Sequence, residues 1–110
     1  MDPSERTDQE RDLQLAKLMV AYQGGDLGAF EQLYAALAQH LRHYFLNAER
    51  DRSVADDLVQ DTFLEMHRSR RTYTPPLPVR PWVFGVARNV LSRRRRAAHS
   101  YKQQTQFPAD

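Results

Sequence analysis

The apolar residues of the chain recur every three or four positions, which is the spacing of amphipathic α-helices. No segment alternates with the period of two that a half-buried strand needs. A first stripe comprises Leu15, Leu18, Met19 and Tyr22. Gly24 and Gly25 follow it and favour the end of a helix, and Asp26 can then cap a second helix. The stripe of this second helix comprises Phe30, Leu33, Tyr34, Leu37, Leu41, Tyr44 and Phe45.

The helical pattern breaks between Asn47 and Arg52 and resumes at Ser53, which forms a capping-box spacing with Asp56. The buried face predicted for this third helix comprises Ala55, Leu58, Val59, Thr62, Phe63 and Met66. Prolines at positions 75, 76, 78 and 81 exclude a helix across residues 73–80, and Pro81 suits the first position of a fourth helix. The core residues predicted for that helix are Val83, Val86, Ala87 and Val90. The sequence therefore predicts an all-α fold, a compact bundle of about four helices.

With 110 residues, of which 41% are apolar, the chain has the size and composition of one compact domain. We expect this helical domain to span residues 10–97, after a flexible N-terminus at 1–9 and before a polar tail or linker at 98–110. The absence of cysteine excludes a disulfide framework and a thiolate metal site. The sequence contains neither a secretion signal nor an apolar run of the ~18 residues that a membrane span needs. We therefore expect a cytoplasmic protein without a cofactor.

The charges divide the chain into two halves of opposite sign. Residues 1–65 hold 13 acidic and 6 basic residues, whereas residues 66–110 hold 10 basic residues and one acidic residue. The net charge of +2 conceals this division. A basic surface attracts phosphate backbones, and an acidic helix face suits a basic protein surface. The charge pattern therefore indicates two different partners.

Two segments carry a resemblance to a known family. The third helix reads ADDLVQDTFLEMHRSR and the fourth reads VRPWVFGVARNVLSRRRR. In this order they resemble region 2 of bacterial sigma factors, specifically of the extracytoplasmic-function (ECF) group, and GDLGAFEQLYAALAQHLRHYF is similar to its opening helices. The resemblance covers residues 12–97. It implies a non-enzymatic transcription initiation factor that binds core RNA polymerase and then recognises and melts the promoter minus-ten element.

The resemblance assigns the polymerase-binding face to the third helix. In the family this face docks on a coiled coil of the largest polymerase subunit. The residues that it maps to here are Asp57, Gln60, Asp61 and Leu64, whose spacing puts them on one side of a helix. Their carboxylates can meet arginines of the partner in charge-assisted contacts. The family also implies an anti-sigma protein as a further partner.

The resemblance assigns binding of promoter DNA, as the non-template single strand, to the loop at residues 71–81 and to the polar side of the fourth helix. The candidate residues are Arg71, Tyr73, Arg80, Arg88, Asn89, Ser92, Arg93 and Arg96. The arginines suit phosphates, whereas the amide of Asn89 suits a base edge. We expect Tyr73 to stack on an unpaired base. Trp82 is expected to be a packed anchor at the start of the helix rather than a stacking residue.

The chain departs from the family pattern at several positions. Family members carry an arginine-glycine-serine stretch before the tryptophan, where this chain has LPVRP at residues 77–81. Asp61 replaces a commoner glutamate and His67 a commoner tryptophan. The second helical domain of the family, which reads the minus-thirty-five element, has no counterpart before residue 110. We therefore expect a piece of a longer protein or a natural truncation, and the base preference stays open.

Other interpretations of the same residues remain. The acidic residues of the third helix can form a solvated face. They can also form a magnesium cluster, but carboxylates on a single helix, without a partner motif, fit such a cluster poorly. The histidines share no metal-ligand spacing, so no metal site is predicted. The arginine run at 93–96 suits any nucleic acid or anionic surface. Two alternative functions follow, namely a helical adaptor or anti-factor-binding module that does not bind DNA, and a hydrolytic enzyme built on the carboxylates.

Overall fold

A computed structural model describes residues 3–106 of the chain, with the side chains of residues 3–101. It consists of helices connected by short turns. The elements are α1 (Pro3–Gln23), α2 (Leu27–Glu49), α3 (Arg52–Arg68), a 3-10 turn (Arg70–Thr72) and α4 (Val79–Gln106). Within this described part the structure has four α-helices and no strand, so the prediction of an all-α bundle of about four helices is confirmed.

The turn between α1 and α2 forms as the sequence predicts. Gly25 adopts a φ of 102°, a left-handed conformation that glycine adopts without steric cost. The backbone N–H of Asp26 donates to the carbonyl of Ala21 at 3.1 Å, and that of Gly25 donates to Tyr22 at 2.9 Å. These two bonds form a Schellman motif. The Asp26 side chain then caps α2 by accepting from the backbone N–H of Ala29 at 3.1 Å.

The connection between α2 and α3 is shorter than predicted, and its cap is a different residue. Only Arg50 and Asp51 separate the two helices, because α2 continues to Glu49, through most of the segment in which the apolar pattern breaks. Asp51, not Ser53, caps α3 by accepting from the backbone N–H of Ser53 at 3.0 Å and of Val54 at 3.3 Å. The hydroxyl of Ser53 donates to the same carboxylate, and this bond chiefly holds the pKa of Asp51 below its ordinary value.

The fourth helix begins earlier than predicted. It starts at Val79, so Pro81 is its third residue instead of its first. The N–H groups of the first turn have no partner within a helix, and a proline therefore costs no hydrogen bond there. The start at Val79 places this residue in the core, where it is fully buried.

Both ends of the described chain are more helical than the sequence suggests. Helix α1 begins at Pro3, inside the segment 1–9 that we expected to be flexible, and α4 continues to Gln106. The last buried residue of α4 is Leu91, and residues 92–101 are all exposed. Residues 1, 2 and 107–110 of the predicted terminal segments lie outside the described part. The domain limits at 10 and 97 stay predictions.

Helix α2 lies at the centre of the bundle and packs against α1, α3 and α4. Its core stripe is fully buried at Leu33, Leu37, Leu41 and Phe45. All six residues predicted for the buried face of α3 are buried, and Thr62 satisfies its hydroxyl by donating to the carbonyl of Leu58 at 2.7 Å. The periodicity therefore identified most of the core directly.

The buried face of α4 is rotated slightly from the predicted one. Val83, Ala87 and Val90 are buried as expected, but Val86 is only half-buried. Together with Val79, the buried residues form a seam at spacings of four, four and three residues. Val86 lies at the edge of this seam, because each residue turns the helix by about 100°. The expectation that Val86 is buried was therefore wrong.

This register predicts different consequences for two matched substitutions. Val90→Asp should destabilise the domain by at least about 3 kcal/mol, because it places an unpaired charge in the core. Val86→Asp should cost much less, since its carboxylate can reach water. Arg94→Ala, an exposed substitution, should change the free energy of unfolding by no more than about 0.5 kcal/mol. Thermal and urea melts followed by circular dichroism measure all three, and equal losses for the two aspartates would contradict the register.

Candidate functional site

A groove of about 820 Å³ runs along the polar side of α4, bordered by the end of α3 and the turn that follows it. Five of the residues predicted to bind DNA line this groove and are exposed: Arg88, Asn89, Ser92, Arg93 and Arg96. They face the groove together because their spacing along α4 keeps them on one side of the helix. The structure therefore brings together the residues of the fourth helix that the sequence singled out.

The floor of the groove is partly apolar. Trp82 is half-buried, and its ring packs edge-on against Tyr73 with ring centroids 5.6 Å apart. It therefore anchors the start of α4, as expected, but it also lines the groove together with Val86 and Gly85. A Cβ at Gly85 would meet only the Arg88 guanidinium, at 4.0 Å, so the groove is open at this position. Trp82 thus combines the packing role that the sequence favoured with access to a ligand, which the sequence did not favour.

Tyr73 does not have the surface position that a stacking residue needs. Its side chain is 2% exposed, and its hydroxyl donates to the carbonyl of Leu77 at 2.6 Å. Burial also raises the pKa of its phenol. The stacking role predicted for Tyr73 is therefore inconsistent with the structure, and its observed role is to shape the loop from inside. A sequence pattern could not distinguish these roles, because aromatic residues occur in both cores and binding surfaces.

A residue of α1 holds the same loop. The side-chain amide of Gln23 donates to the carbonyl of Arg70 at 2.8 Å and to that of Tyr73 at 2.7 Å. These bonds join the end of α1 to the turn at the border of the groove. No local sequence pattern marks Gln23 as a functional residue, because its partners are about fifty residues away.

Two of the predicted DNA-binding arginines lie outside the groove. Arg71 is exposed on the 3-10 turn but does not line the groove. Arg80 points elsewhere, because it lines a second groove between α1 and α2. The first turn of α4 presents Arg80 and Trp82 on different sides of the helix, since two positions along a helix differ by about 200°. Arg80 therefore lies apart from the five residues that line the groove, and its DNA-binding role stays a prediction.

The four consecutive arginines at 93–96 point to three different surroundings. Arg93 and Arg96 line the groove, whereas Arg94 lies in a cleft between α3 and α4. Arg95 donates to the carboxylate of Glu49 at 3.0 Å and so ties α4 to the end of α2. Because successive helical residues point in different directions, only two of the four arginines line the groove.

One carboxylate also lines the groove. Glu65, at the end of α3, lies 3.6 Å from Arg93 and 3.8 Å from Arg68, measured between the charged atoms. It holds the Arg93 side chain against the border of the groove and offsets part of the positive charge. By its sequence position Glu65 belongs to the acidic face of α3, and only the packing of α3 on α4 reveals this contact.

The residues predicted to bind polymerase form a separate surface on α3. Asp57, Gln60, Asp61 and Leu64 are all exposed on one side of the helix. Leu64 is an apolar side chain with half of its surface exposed. Within residues 3–101 neither Asp57 nor Asp61 has an ion pair, whereas the neighbouring Asp56 is bound by Arg42 at 2.8 Å. We call these four residues the α3 stripe.

The α3 stripe and the groove are neighbours rather than opposite faces. Asp61 and Leu64 share a cleft with Arg93 and Arg94 of α4. The charge division along the sequence had indicated two separate partners, but it carried no information about the distance between their surfaces. The structure puts the acidic α3 stripe directly beside a basic groove.

Neither a metal site nor a membrane span is found in the described part of the chain. Within residues 3–101 no three histidine or carboxylate side chains are grouped in a way that could hold a metal ion. None of the described helices combines the length and the apolar character needed to cross a bilayer.

Comparisons with known proteins point to one family. The model of the sigma-70 region 2 family matches residues 29–101. RNA polymerase sigma factor CarQ of Myxococcus xanthus is 32% identical over 96 residues, which are 83% of this chain and 55% of CarQ. The ECF RNA polymerase sigma factor SigM of Mycobacterium tuberculosis is 32% identical over 83 residues, covering 74% of this chain and 42% of SigM. No solved structure matches the chain at a significant level.

A third relative is similar over a shorter part of the chain. SigM of Bacillus subtilis, also an ECF RNA polymerase sigma factor, is 30% identical over 61 residues, which are 56% of this chain and 37% of that protein. The chain thus spans about half or less of the length of these curated relatives. Because the family model covers most of the helical bundle and both SigM relatives are ECF sigma factors, the chain belongs to the extracytoplasmic-function sigma factors and comprises their region-2 domain.

Proposed function

We propose that this domain acts in transcription initiation by docking on core RNA polymerase through the α3 stripe and capturing unpaired promoter DNA in the groove along α4. The observation that carries the proposal is the groove itself, in which a half-buried indole, an exposed amide and three arginines face the same space. Arginines that bind phosphates, an aromatic ring that stacks on bases and an amide that reads a base edge are the components of single-strand recognition.

Docking is the first step of the proposed function. The partner surface is the coiled coil of the largest polymerase subunit, and its basic side chains would meet Asp57 and Asp61. Since these carboxylates have no ion pair within the described side chains, they need not break an existing contact in order to bind. The exposed Leu64 adds apolar area that becomes buried on docking. Membership of the family supports one further partner, an anti-sigma protein that sequesters the chain.

Capture of the non-template strand is the second step. Removing a base from a duplex costs a few kcal/mol, and stacking on an aromatic ring returns about 1–3 kcal/mol per base. Trp82 provides the ring, and Arg88, Arg93 and Arg96 hold the phosphates on either side. Asn89 lies between them on the same helical face and carries both a donor and an acceptor, so it can distinguish bases. The protein stabilises the open state, and the polymerase performs the chemistry.

The first test addresses the α3 stripe. Asp57→Lys combined with Asp61→Lys should weaken binding to core polymerase at least about tenfold, or 1.4 kcal/mol, because attractive charge pairs become repulsive. Asp8→Lys combined with Glu10→Lys on the exposed side of α1 is the matched control, since it changes the net charge equally. Binding is measured by titration of labelled protein with core polymerase. Equal losses in the two variants would show a general charge effect and reject the stripe as the docking site.

The second test separates phosphate contacts from base readout. With polymerase present, the domain should bind the minus-ten non-template strand of a promoter that it activates better than the complementary or a scrambled strand. Affinity should fall with salt at a slope of about −0.7 per phosphate neutralised. Arg88→Ala or Arg93→Ala should flatten that slope and weaken all strands alike. Asn89→Ala should instead remove the preference between strands, by about 1–3 kcal/mol, while the slope persists.

These outcomes also distinguish the alternative function. A helical adaptor that binds only proteins would show no strand preference at any salt concentration, even with polymerase present. That result would reject strand capture, whereas polymerase binding could still be intact.

The third test uses the single tryptophan of the chain as a reporter. Because Trp82 lines the groove, binding of a single strand should change its fluorescence, and Trp82→Leu should weaken strand binding by about 1–3 kcal/mol through the loss of stacking. Trp82→Phe retains an aromatic ring and should lose less. Thermal melts of both variants control for the contact with Tyr73. Emission that does not respond to a strand bound at saturation would exclude Trp82 from the interface.

A further inference from the structure

Arg80 lies in surroundings that neither docking on polymerase nor strand capture explains. It reaches from the first turn of α4 to the groove between α1 and α2. Its Nε is the only buried side-chain nitrogen or oxygen in the described part of the chain that lacks a hydrogen-bond partner. Leaving a buried donor without an acceptor is unfavourable, and more so for a charged group. Because Nε is itself out of reach of solvent, an acceptor from outside the domain would bind the terminal nitrogens of the same guanidinium.

The groove around Arg80 is apolar at its floor and positive at its border. Leu15 and Leu18 of α1 and the small side chains of Ala35 and Ala36 of α2 line a volume of about 560 Å³. Arg11 and His40 border it together with Arg80, and no acidic residue lines it. None of its lining residues belongs to the α3 stripe or to the groove along α4. It is therefore a third surface with its own chemistry.

We infer that the groove between α1 and α2 docks a helix of a partner protein that carries a carboxylate within its apolar face. Two antiparallel helices form a channel into which a third helix can pack, and alanines permit its close approach. From Arg11 to Leu18 the channel extends about 10 Å, which accommodates two turns of a helix. The positive border selects an acidic partner, and the terminal nitrogens of the Arg80 guanidinium bind its carboxylate through charge-assisted hydrogen bonds. This inference does not depend on the proposed function.

The chemistry of the groove can be tested with a small probe. Hexanoate combines an apolar chain with a carboxylate, and hexanamide is its uncharged counterpart. In nitrogen-15 NMR spectra the Nε–H of Arg80 gives its own signal. Hexanoate should shift this signal and those of α1 and α2 that border the groove, whereas hexanamide should leave the Arg80 signal in place. Absence of any effect of hexanoate on Arg80 would overturn the inference.

The identity of the occupant needs a second probe. An amphipathic helical peptide with one glutamate among leucines should bind about tenfold more tightly than the same peptide with glutamine, as expected for one charge-assisted hydrogen bond. Arg80→Gln should abolish this preference. Ala36→Glu should prevent binding of both peptides, because its longer side chain fills the floor of the groove and adds a negative charge there. Circular dichroism verifies that each variant is folded. Equal binding of the two peptides, or shifts confined to the groove along α4, would overturn the inference.

Two further comparisons show which hypothesis each experimental outcome rejects. If hexanoate binds at Arg80 but neither peptide does, the groove takes small ligands and the docking of a helix is wrong. Arg80→Gln should bind single-stranded DNA as the wild type does, because Arg80 lies outside the groove along α4. Failure of the peptide test therefore leaves strand capture intact, and failure of strand capture leaves the peptide test unaffected.

Discussion

The narrow apolar seam of α4 is the constraint on which the other features depend. Val79, Val83, Ala87 and Val90 are buried against the rest of the bundle, and this burial fixes the rotation of the helix about its own axis. Every polar residue of α4 then has a determined direction. Asn89 and Arg93 reach the groove, while Arg95 reaches the end of α2. A rotation by one residue would place the arginines against the core, which the cost of burying an unpaired charge prevents.

The loop before α4 is held by a buried side chain of its own and by a side chain of α1. The buried phenol of Tyr73 binds the carbonyl of Leu77, and the amide of Gln23 binds two carbonyls of the loop. These contacts connect the end of α1 to the border of the groove. Because the border of the groove is already fixed, fewer protein groups become ordered when a ligand binds. Binding therefore costs less conformational entropy. Residues that contact no ligand thus contribute to the shape that a ligand meets.

The proximity of the α3 stripe to the groove gives the proposed two-step function a physical basis. Glu65 lies at the end of α3 and contacts Arg93, a candidate phosphate ligand of α4. A partner bound on α3 would change the electrostatic surroundings of this pair, and a phosphate at Arg93 would compete with the Glu65 carboxylate. Exposed ion pairs are weak, so this competition is small in energy. The Glu65 side chain nevertheless connects α3 with the groove along α4. This contact would not exist if the α3 stripe and the groove lay on opposite faces of the bundle.

The sequence by itself determined the helical class, most of the core and the polar face of α4, because period and polarity are local properties of a helix. It also predicted the Asp26 cap and the exposed α3 stripe, whose residues are close in sequence. Only the tertiary structure decided the roles of Tyr73, Arg80 and Gln23. An aromatic, a cation or an amide in a loop or at a helix end suits several environments, and the choice depends on residues that packing brings from distant parts of the chain. The burial of Tyr73, the turn of Arg80 toward α1 and the contact of Glu65 with Arg93 are all of this kind.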